Sequence, residues 1–170
     1  KMLYDILFDP EIELITVIGP SGTGKTLLAL AAGMAQIEKY NLYRRLLVTR
    51  TMVSVDKDPG AFPGDPKEKA DAWVRPIYDN LEFIYNQGNK NINEWKDHKQ
   101  ILNELDYLEA ELFSLTRGRT MPYQFIIVDE AQNLTIHQAR TIVTRPGIGA
   151  KIILVGDPYQ VDHPYLDSVN

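Results

Sequence analysis

The sequence predicts an α/β fold in three layers, with helices on both faces of a mainly parallel sheet. Three runs of β-branched and other apolar residues, Leu46–Thr49, Phe125–Val128 and Ile152–Val155, are continuous, as in strands covered on both faces. Ile15–Ile18 is predicted to be a buried strand before them. Helical patterns lie between the strands, over about 25–40, 67–85, 99–112 and 136–144. Strands that alternate with helices imply parallel pairing with right-handed crossovers.

Each element follows from its local pattern. Leu3, Ile6 and Leu7 share one face at the start of the chain, which predicts an amphipathic helix there. The Pro, Gly and Asp residues of 55–64 predict a loop, and the Asn-rich residues 86–93 predict a second loop. We therefore expect one domain over 1–170, in which about 55–112 forms a mostly helical insertion on one side of the sheet.

Composition limits the classes of protein. The chain has 170 residues, of which 44% are hydrophobic and 24% charged, typical of a globular domain with one core. It has no cysteine, which excludes disulfides and thiolate catalysis, and its net charge is −5. No apolar run is long enough to span a bilayer, and no leader pattern precedes the first helix. We expect a cytoplasmic location and no membrane contact. Both ends look like cuts within a longer chain.

The most informative motif is Gly19–Thr26, which fits the phosphate-cradling pattern G-x-x-x-x-G-K-[ST]. A strand precedes it and a helix follows it, so backbone N–H groups and the helix dipole would surround an anion. Lys25 is predicted to reach the β- and γ-phosphates, and the Thr26 hydroxyl to bind Mg²⁺. The predicted phosphate-binding residues are Gly19, Pro20, Ser21, Gly22, Thr23, Gly24, Lys25, Thr26 and Leu27. The alternative is a glycine-rich turn with an incidental lysine.

Two further motifs follow predicted strands. Asp129 and Glu130 come directly after Phe125–Val128, where Asp129 would hold Mg²⁺ and Glu130 would orient or deprotonate a water. Gln160 follows the last strand, and Gln132 follows the two acids; either amide could hydrogen-bond a γ-phosphate and a water. The alternatives are a common acidic strand end and an Asp-Pro turn with a surface glutamine.

These motifs together resemble the PhoH family of P-loop ATPases, whose core is similar to the first motor domain of superfamily 1 helicases. The stretches that carry the resemblance are GPSGTGKTLLALAAG, FPGDPKEK with PIYDNLEF, RGRTMPYQFIIVDEAQN, TRPGIGAK and GDPYQVDHPYLD. The resemblance implies a RecA-like fold, hydrolysis of ATP with Mg²⁺, a homo-oligomeric ring, most often a hexamer, and a role with RNA. Some members carry an upstream PIN nuclease domain. Thr51, Ser54, Asp56, Pro59 and Pro146 depart from the family pattern, away from the phosphate site.

An arginine facing the γ-phosphate is expected in a P-loop ATPase with fast turnover. Helicases with two motor domains supply it from the second domain, for which this chain has no room. We therefore expect a neighbouring subunit to supply it, across a heterologous ring interface. The candidates are Arg145, then Arg140, Arg117 and Arg119. Alternatively, Arg145 only caps the C-terminus of its helix.

Contact with RNA or single-stranded DNA is predicted at a set of basic and aromatic residues: Arg44, Arg45, Arg50, Arg117, Arg119, Trp73 and Tyr78. The alternatives are a solvated surface for the arginines and a core position for Trp73, which recurs with Ile77 and Leu81 at helical spacing. The histidines His98, His137 and His163 are too scattered to predict a metal site.

The predicted activity is Mg²⁺-dependent ATP hydrolysis by a helicase-like motor that acts on RNA or single-stranded DNA as a ring. One rival is a nucleotide-dependent assembly scaffold with negligible turnover, which stimulation by RNA would argue against. A less favoured rival is a small-molecule kinase, which transfer of phosphate to an acceptor would support.

Overall fold

The computed structural model describes residues 2–51, 66–87, 94–112 and 120–161, except for the side chains of 66–73 and 111–112. The helices are α1 (Met2–Phe8), α2 (Lys25–Glu38), α3 (Pro66–Asn86), α4 (His98–Glu104) and α5 (Ile136–Val143). The strands are β1 (Leu14–Ile18), β2 (Arg45–Arg50), β3 (Leu108–Leu112), β4 (Gln124–Asp129) and β5 (Lys151–Gly156). None of these described helices is long and apolar enough to cross a membrane.

The five described strands form one sheet in the order β1-β5-β4-β2-β3, and every neighbouring pair is parallel. The register places Val17 beside Val155, and Ile127 beside both Ile153 and Val48. Parallel pairing brings the carboxyl ends of all five strands to one edge. The structure confirms the predicted α/β class, a RecA-like P-loop domain with a parallel sheet.

Side chains that alternate along the strands build an apolar core on each face of the sheet. One face contacts α1, α2, α3 and α4, and its fully buried members include Leu30, Leu46, Ile77, Phe125 and Ile153. The smaller opposite core packs against α5 and the turn before it, and includes Leu47, Ile126, Val128, Ile142 and Ile152. Helices therefore cover both faces, as the continuous apolar runs of β2, β4 and β5 predict.

Strand β1 differs from the prediction of a buried strand. Ile15 and Val17 are buried, whereas Leu14 and Ile18 are 49% and 66% exposed. β1 is one of the two edge strands of the described sheet, and the core on the α5 face includes residues of β2, β4 and β5 but none of β1. Only one face of β1 is therefore covered by the described helices. A continuous apolar run cannot distinguish this arrangement from burial on both faces.

The helix expected over about 99–112 is only partly present. α4 begins with a capping box in which Asp97 accepts a hydrogen bond from the backbone of Gln100, and it ends at Glu104. Residues Leu108–Leu112 instead form β3, paired in parallel with β2. Pairing with β2 overrides the strong helical preference of the Leu, Glu and Ala residues of β3, because strand tendency depends on context. The predicted helix over about 99–112 is therefore wrong beyond Glu104, where Leu108–Leu112 extends the sheet.

The predicted amphipathic helix at the start of the chain is confirmed, and buried polar groups anchor it. Leu7 of α1 is 1% exposed, and Leu3 and Ile6 pack against the core. The Lys151 ammonium, itself buried, donates to the carbonyl oxygens of Leu7 at 3.0 Å and Asp9 at 2.6 Å. These bonds satisfy carbonyls at the end of α1 that lack helical partners.

Gly33 allows α2 to approach the sheet closely. A Cβ atom at this position would lie 2.8 Å from Leu46 Cδ1 and 2.9 Å from Phe125 Cδ1, and both side chains are fully buried. We expect Gly33→Ala to lower the free energy of unfolding by about 1–3 kcal/mol, because overpacking outweighs the gain in helix propensity. Urea denaturation measures this change in the free energy of unfolding.

The matched control is Ala35→Ser on the half-buried side of the same helix, for which we expect a change of about 0.5 kcal/mol or less. Gly33→Ala protein as stable as the parent would contradict the close approach of α2.

Candidate functional site

A cavity of about 480 Å³ opens at the carboxyl edge of the sheet. The loop before α2, the ends of β2, β4 and β5, and α3 all contribute to its lining. The predicted site residues that line it are Ser21, Gly22, Gly24, Lys25, Thr26, Leu27, Asp129, Glu130 and Gln160. The fold therefore brings all three predicted motifs to one place, as parallel strands require.

The loop before α2 has the backbone that a phosphate cradle needs. Gly22 and Gly24 have φ angles of 75° and 78°, which favour glycine, and α2 begins at Lys25 directly after them. The Lys25 ammonium donates to the carbonyl oxygens of Gly19 and Pro20, both at 2.7 Å. The lysine thus folds back over the loop and holds its two ends together.

The two predicted metal ligands are in direct contact. The Thr26 hydroxyl donates to Asp129 Oδ1 at 2.8 Å, joining the first turn of α2 to the end of β4. Burial raises the pKa of the Asp129 carboxyl above its ordinary value, while the Thr26 hydrogen bond and the Arg50 charge act in the opposite direction. Hydroxyl and carboxylate oxygens are ligands that Mg²⁺ accepts. No group of three His, Cys, Asp or Glu side chains suited to a metal occurs in the described part of the chain.

Glu130 is held from two sides. Its backbone is left-handed, with φ 55°, directly after β4. Arg50 Nη2 lies 3.1 Å from its Oε1, and Gln132 Nε2 donates to its Oε2 at 2.5 Å. Arg50, which the sequence placed among contacts to nucleic acid, therefore lies inside the cavity at the end of β2. The charge pattern of the sequence could not predict this position, because the pairing of β2 with β4 brings Arg50 beside Asp129 and Glu130.

Gln132 connects the loops after β4 and β5. Its Oε1 accepts from the backbone of Asp157 at 3.1 Å, and its Nε2 also donates to the carbonyl of Gln160 at 3.0 Å. A Cβ on Gly156 would lie 2.9 Å from Gln132 Oε1 and 3.2 Å from the Gln132 backbone nitrogen, so a larger residue there would displace the Gln132 amide. Gln132 therefore fixes the position of Gln160 relative to Glu130.

Asp157 is a site residue that the sequence analysis did not assign. It is buried, and its carboxylate accepts from the backbone N–H of Ser21 at 2.9 Å and of Tyr159 at 3.0 Å. It therefore ties the phosphate-cradle loop to the loop after β5. The available signal was the Asp-Pro turn, because Asp commonly accepts from a backbone N–H two residues later. Pro76 and Asn80 of α3 also line the cavity; both belong to the PIYDNLEF stretch, to which the sequence analysis gave no role in the site.

Two of the four predicted arginine fingers lie in the described part of the chain, and neither lines the cavity. Arg145 lines a small cleft on the α5 side of the sheet with Leu47, Thr49, Val128 and Ile142, and is not part of the cavity lining. Arg140 is on the exposed part of α5. Arg117 and Arg119 fall outside the described residues.

The predicted nucleic-acid contacts are dispersed. Arg45 forms an ion pair with Glu109, and the Arg44 guanidinium lies 5.5 Å from the centre of the Tyr123 ring. Both arginines are at the amino end of β2, and Arg45 is about 17 Å from Arg50 by strand length. Tyr78 stacks on His98 with ring centres 4.8 Å apart. The Trp73 side chain and His163 lie outside the residues that the structure describes.

Comparison with known proteins agrees with the site geometry. The family described as "PhoH-like protein" matches residues 2–169. Protein PhoH2 of Bacillus subtilis (strain 168) is 48% identical over 99% of this chain and 37% of its own length. A PhoH-like protein of Synechocystis sp. is 39% identical over 86% of this chain and 42% of its own length. The chain thus spans about two fifths of these curated relatives. The chain belongs to the PhoH family of P-loop NTPases.

Proposed function

We propose that this domain binds ATP with Mg²⁺ in the cavity at the carboxyl edge of the sheet and hydrolyses it. The observation that carries the proposal is the 2.8 Å hydrogen bond between Thr26 and Asp129, beside Glu130. A hydroxyl from a phosphate-cradle loop and a carboxylate from a strand end form the usual Mg²⁺ site of P-loop NTPases. Membership of the PhoH family supports nucleotide binding.

Phosphate binding would begin at the backbone N–H groups of the cradle loop and the start of α2. Lys25 would exchange the carbonyl oxygens of Gly19 and Pro20 for phosphate oxygens, so its charge moves from the loop to the nucleotide. Thr26 and Asp129 would hold Mg²⁺, which neutralises charge on the phosphates when it is bound. A bound cation would favour the carboxylate form of Asp129, whereas burial raises the pKa of this group.

Hydrolysis requires a water oxygen to bond to the γ-phosphorus while the bond to the bridging oxygen of ADP breaks. Glu130 would accept the proton of that water. Its Oε2 becomes available once the Gln132 amide turns away from it. Gln160 and Gln132 are amides and can hydrogen-bond the water or the γ-phosphate without taking its proton. Gln132 Nε2 also donates to the backbone carbonyl of Gln160, which links the loop after β5 to the loop after β4.

We further propose that the protein uses ATP hydrolysis to act on RNA and that its subunits form a ring. The PhoH resemblance supports both. The position of Arg145 away from its own cavity is compatible with a role at a neighbouring subunit. The relatives extend well beyond the matched region, so the proposed action on RNA and the proposed ring are properties of the whole protein and not of this domain alone.

The first test is turnover by Glu130→Gln protein. We expect it to retain ATP binding and lose at least about 100-fold in kcat, since a positioned general base contributes about 10²–10⁴-fold. Lys25→Ala should lose both binding and turnover. Phosphate release, measured with and without a single-stranded RNA, and fluorescent-nucleotide titration give these values.

The matched control is the exposed Glu11→Gln, which should behave as the parent. Parental turnover by Glu130→Gln would refute the role of Glu130. RNA that leaves turnover unchanged would contradict the RNA part of the proposal.

The second test uses Asp129→Asn in protein without nucleotide. The pKa of Asp129 in the folded state is raised above its ordinary value of 3.8. At pH values above 3.8, ionisation of Asp129 therefore favours the unfolded state over the folded state. We expect Asp129→Asn to raise the Tm at pH 7, with a gain that shrinks as the pH falls towards 4. Addition of MgATP should then stabilise the parent more than the variant. Differential scanning calorimetry measures both effects.

The exposed Asp106→Asn is the control and should show no such dependence. A lower Tm for Asp129→Asn at pH 7 would show that the carboxylate stabilises the fold there.

The third test mixes two inactive proteins, Arg145→Ala and Lys25→Ala. If Arg145 serves the neighbouring subunit, mixed rings contain sites with both residues intact, and turnover should recover to about a quarter of the parental rate in an equal mixture, provided that adjacent pairs form at random. An ATPase assay after subunit exchange measures the recovery. Absence of recovery after demonstrated exchange would exclude Arg145 from that role.

A further inference from the structure

Among the described residues, Arg50 is the one cation that forms an ion pair with Glu130, the predicted catalytic carboxylate. It ends β2, where the parallel register pairs it with Asp129 of β4. Its side chain is 17% exposed and lines the cavity together with Lys25, Asp129 and Glu130. None of the three nucleotide motifs contains it. Strand pairing alone brings a guanidinium beside the position where the reaction would occur.

The contact of Arg50 with Glu130 has the geometry of a positioning interaction. Nη2 lies 3.1 Å from Glu130 Oε1, while Oε2 is engaged by Gln132. The carboxylate is therefore held at both oxygens. Glu130 has a left-handed backbone, which non-glycine residues seldom adopt, so its side chain leaves β4 in an unusual direction. Arg50 is the only partner of Oε1 that the described residues show.

The two partners of Glu130 differ in how easily they can leave. Gln132 also bonds the backbone on both sides of the β5 loop, and its amide can rotate to a phosphate or a water. Arg50 is held in a strand, and its buried Nε has no hydrogen-bond partner in the described part of the chain. Release of Glu130 would leave the guanidinium with still fewer acceptors. Arg50 is thus suited to stay on Oε1 while Oε2 becomes free.

We propose that Arg50 is a positioning residue for hydrolysis: it fixes Glu130 through Oε1 so that Oε2 faces the attacking water. This assignment rests on the proposed function, because it gives Arg50 a role only if Glu130 receives the proton. Arg50 acts here through Glu130 and within its own subunit. It is therefore distinct from an arginine that a neighbour contributes to the γ-phosphate.

The test separates kcat from nucleotide affinity. We expect Arg50→Gln to lower kcat by about 10- to 100-fold, less than complete loss of the general base, because Glu130 is misplaced rather than removed. The KM for ATP and the Kd of a non-hydrolysable ATP analogue should change by about threefold or less, because a positioning residue contributes to the transition state rather than to ground-state binding. Phosphate release and fluorescence titration, both without RNA, measure these values.

Lys39→Gln is the control. It removes an exposed cation that follows the C-terminal end of α2, outside the cavity lining. Its basal kcat should be parental. Arg50→Ala adds a second readout: guanidinium ion should restore part of its turnover, whereas sodium chloride at equal ionic strength should not, because only guanidinium can replace the lost contact.

Arg50→Lys covers the case in which the neutral variants fail to fold. It keeps a cation but not the guanidinium, and we expect an intermediate kcat with parental analogue affinity. Parental or increased kcat in the folded Arg50 variants, or a loss confined to analogue affinity, would overturn the assignment. These outcomes in an active parent overturn Arg50 alone. A parent that binds ATP and shows no turnover would instead refute the proposed function, and the role of Arg50 with it.

Discussion

The hydrogen bond between Thr26 and Asp129 is the interaction on which the rest of the site depends. It joins residues 103 positions apart in the chain and locks the start of α2 to the end of β4. A buried carboxylate is costly without partners, which is why the pKa of Asp129 is raised. The fold tolerates this cost at the one edge where all the strand ends meet. The same burial makes the carboxylate a strong ligand for a cation.

Around this bond, the polar groups of the cavity are bonded to one another. Lys25 occupies carbonyls of its own loop, Asp157 holds the Ser21 N–H, and Gln132 holds Glu130. A nucleotide would therefore exchange existing hydrogen bonds for new ones, which keeps the net gain of each bond small. Affinity would then come from charge and from the number of simultaneous contacts. Such a network also links the three loops, so a change at the phosphates reaches the loop after β5.

In the segment between β2 and β4, local sequence patterns predict only part of the secondary structure. Its helix α3 was expected and is present, and its residues Pro76 and Asn80 line the cavity. Its last part was expected to be helical and forms β3 instead. The residues of Leu108–Leu112 are strong helix formers, but the open edge of β2 supplies hydrogen bonds that override this preference. The exposed face of β1 is explained in the same way, because the elements packed against a strand, and not its own residues, decide which of its faces is buried.

The sequence by itself determined the α/β class, the central strands, and the motif residues Lys25, Thr26, Asp129 and Glu130, because loop, strand and helix signals there are local and consistent. Only the tertiary structure decided that Arg50 faces Glu130, that Asp157 holds the cradle loop, and that Arg145 lies on the other face. These contacts depend on strand order and register, which join distant parts of the chain. Side-chain partners across a sheet are fixed by pairing between strands, and no local pattern of residues encodes that pairing.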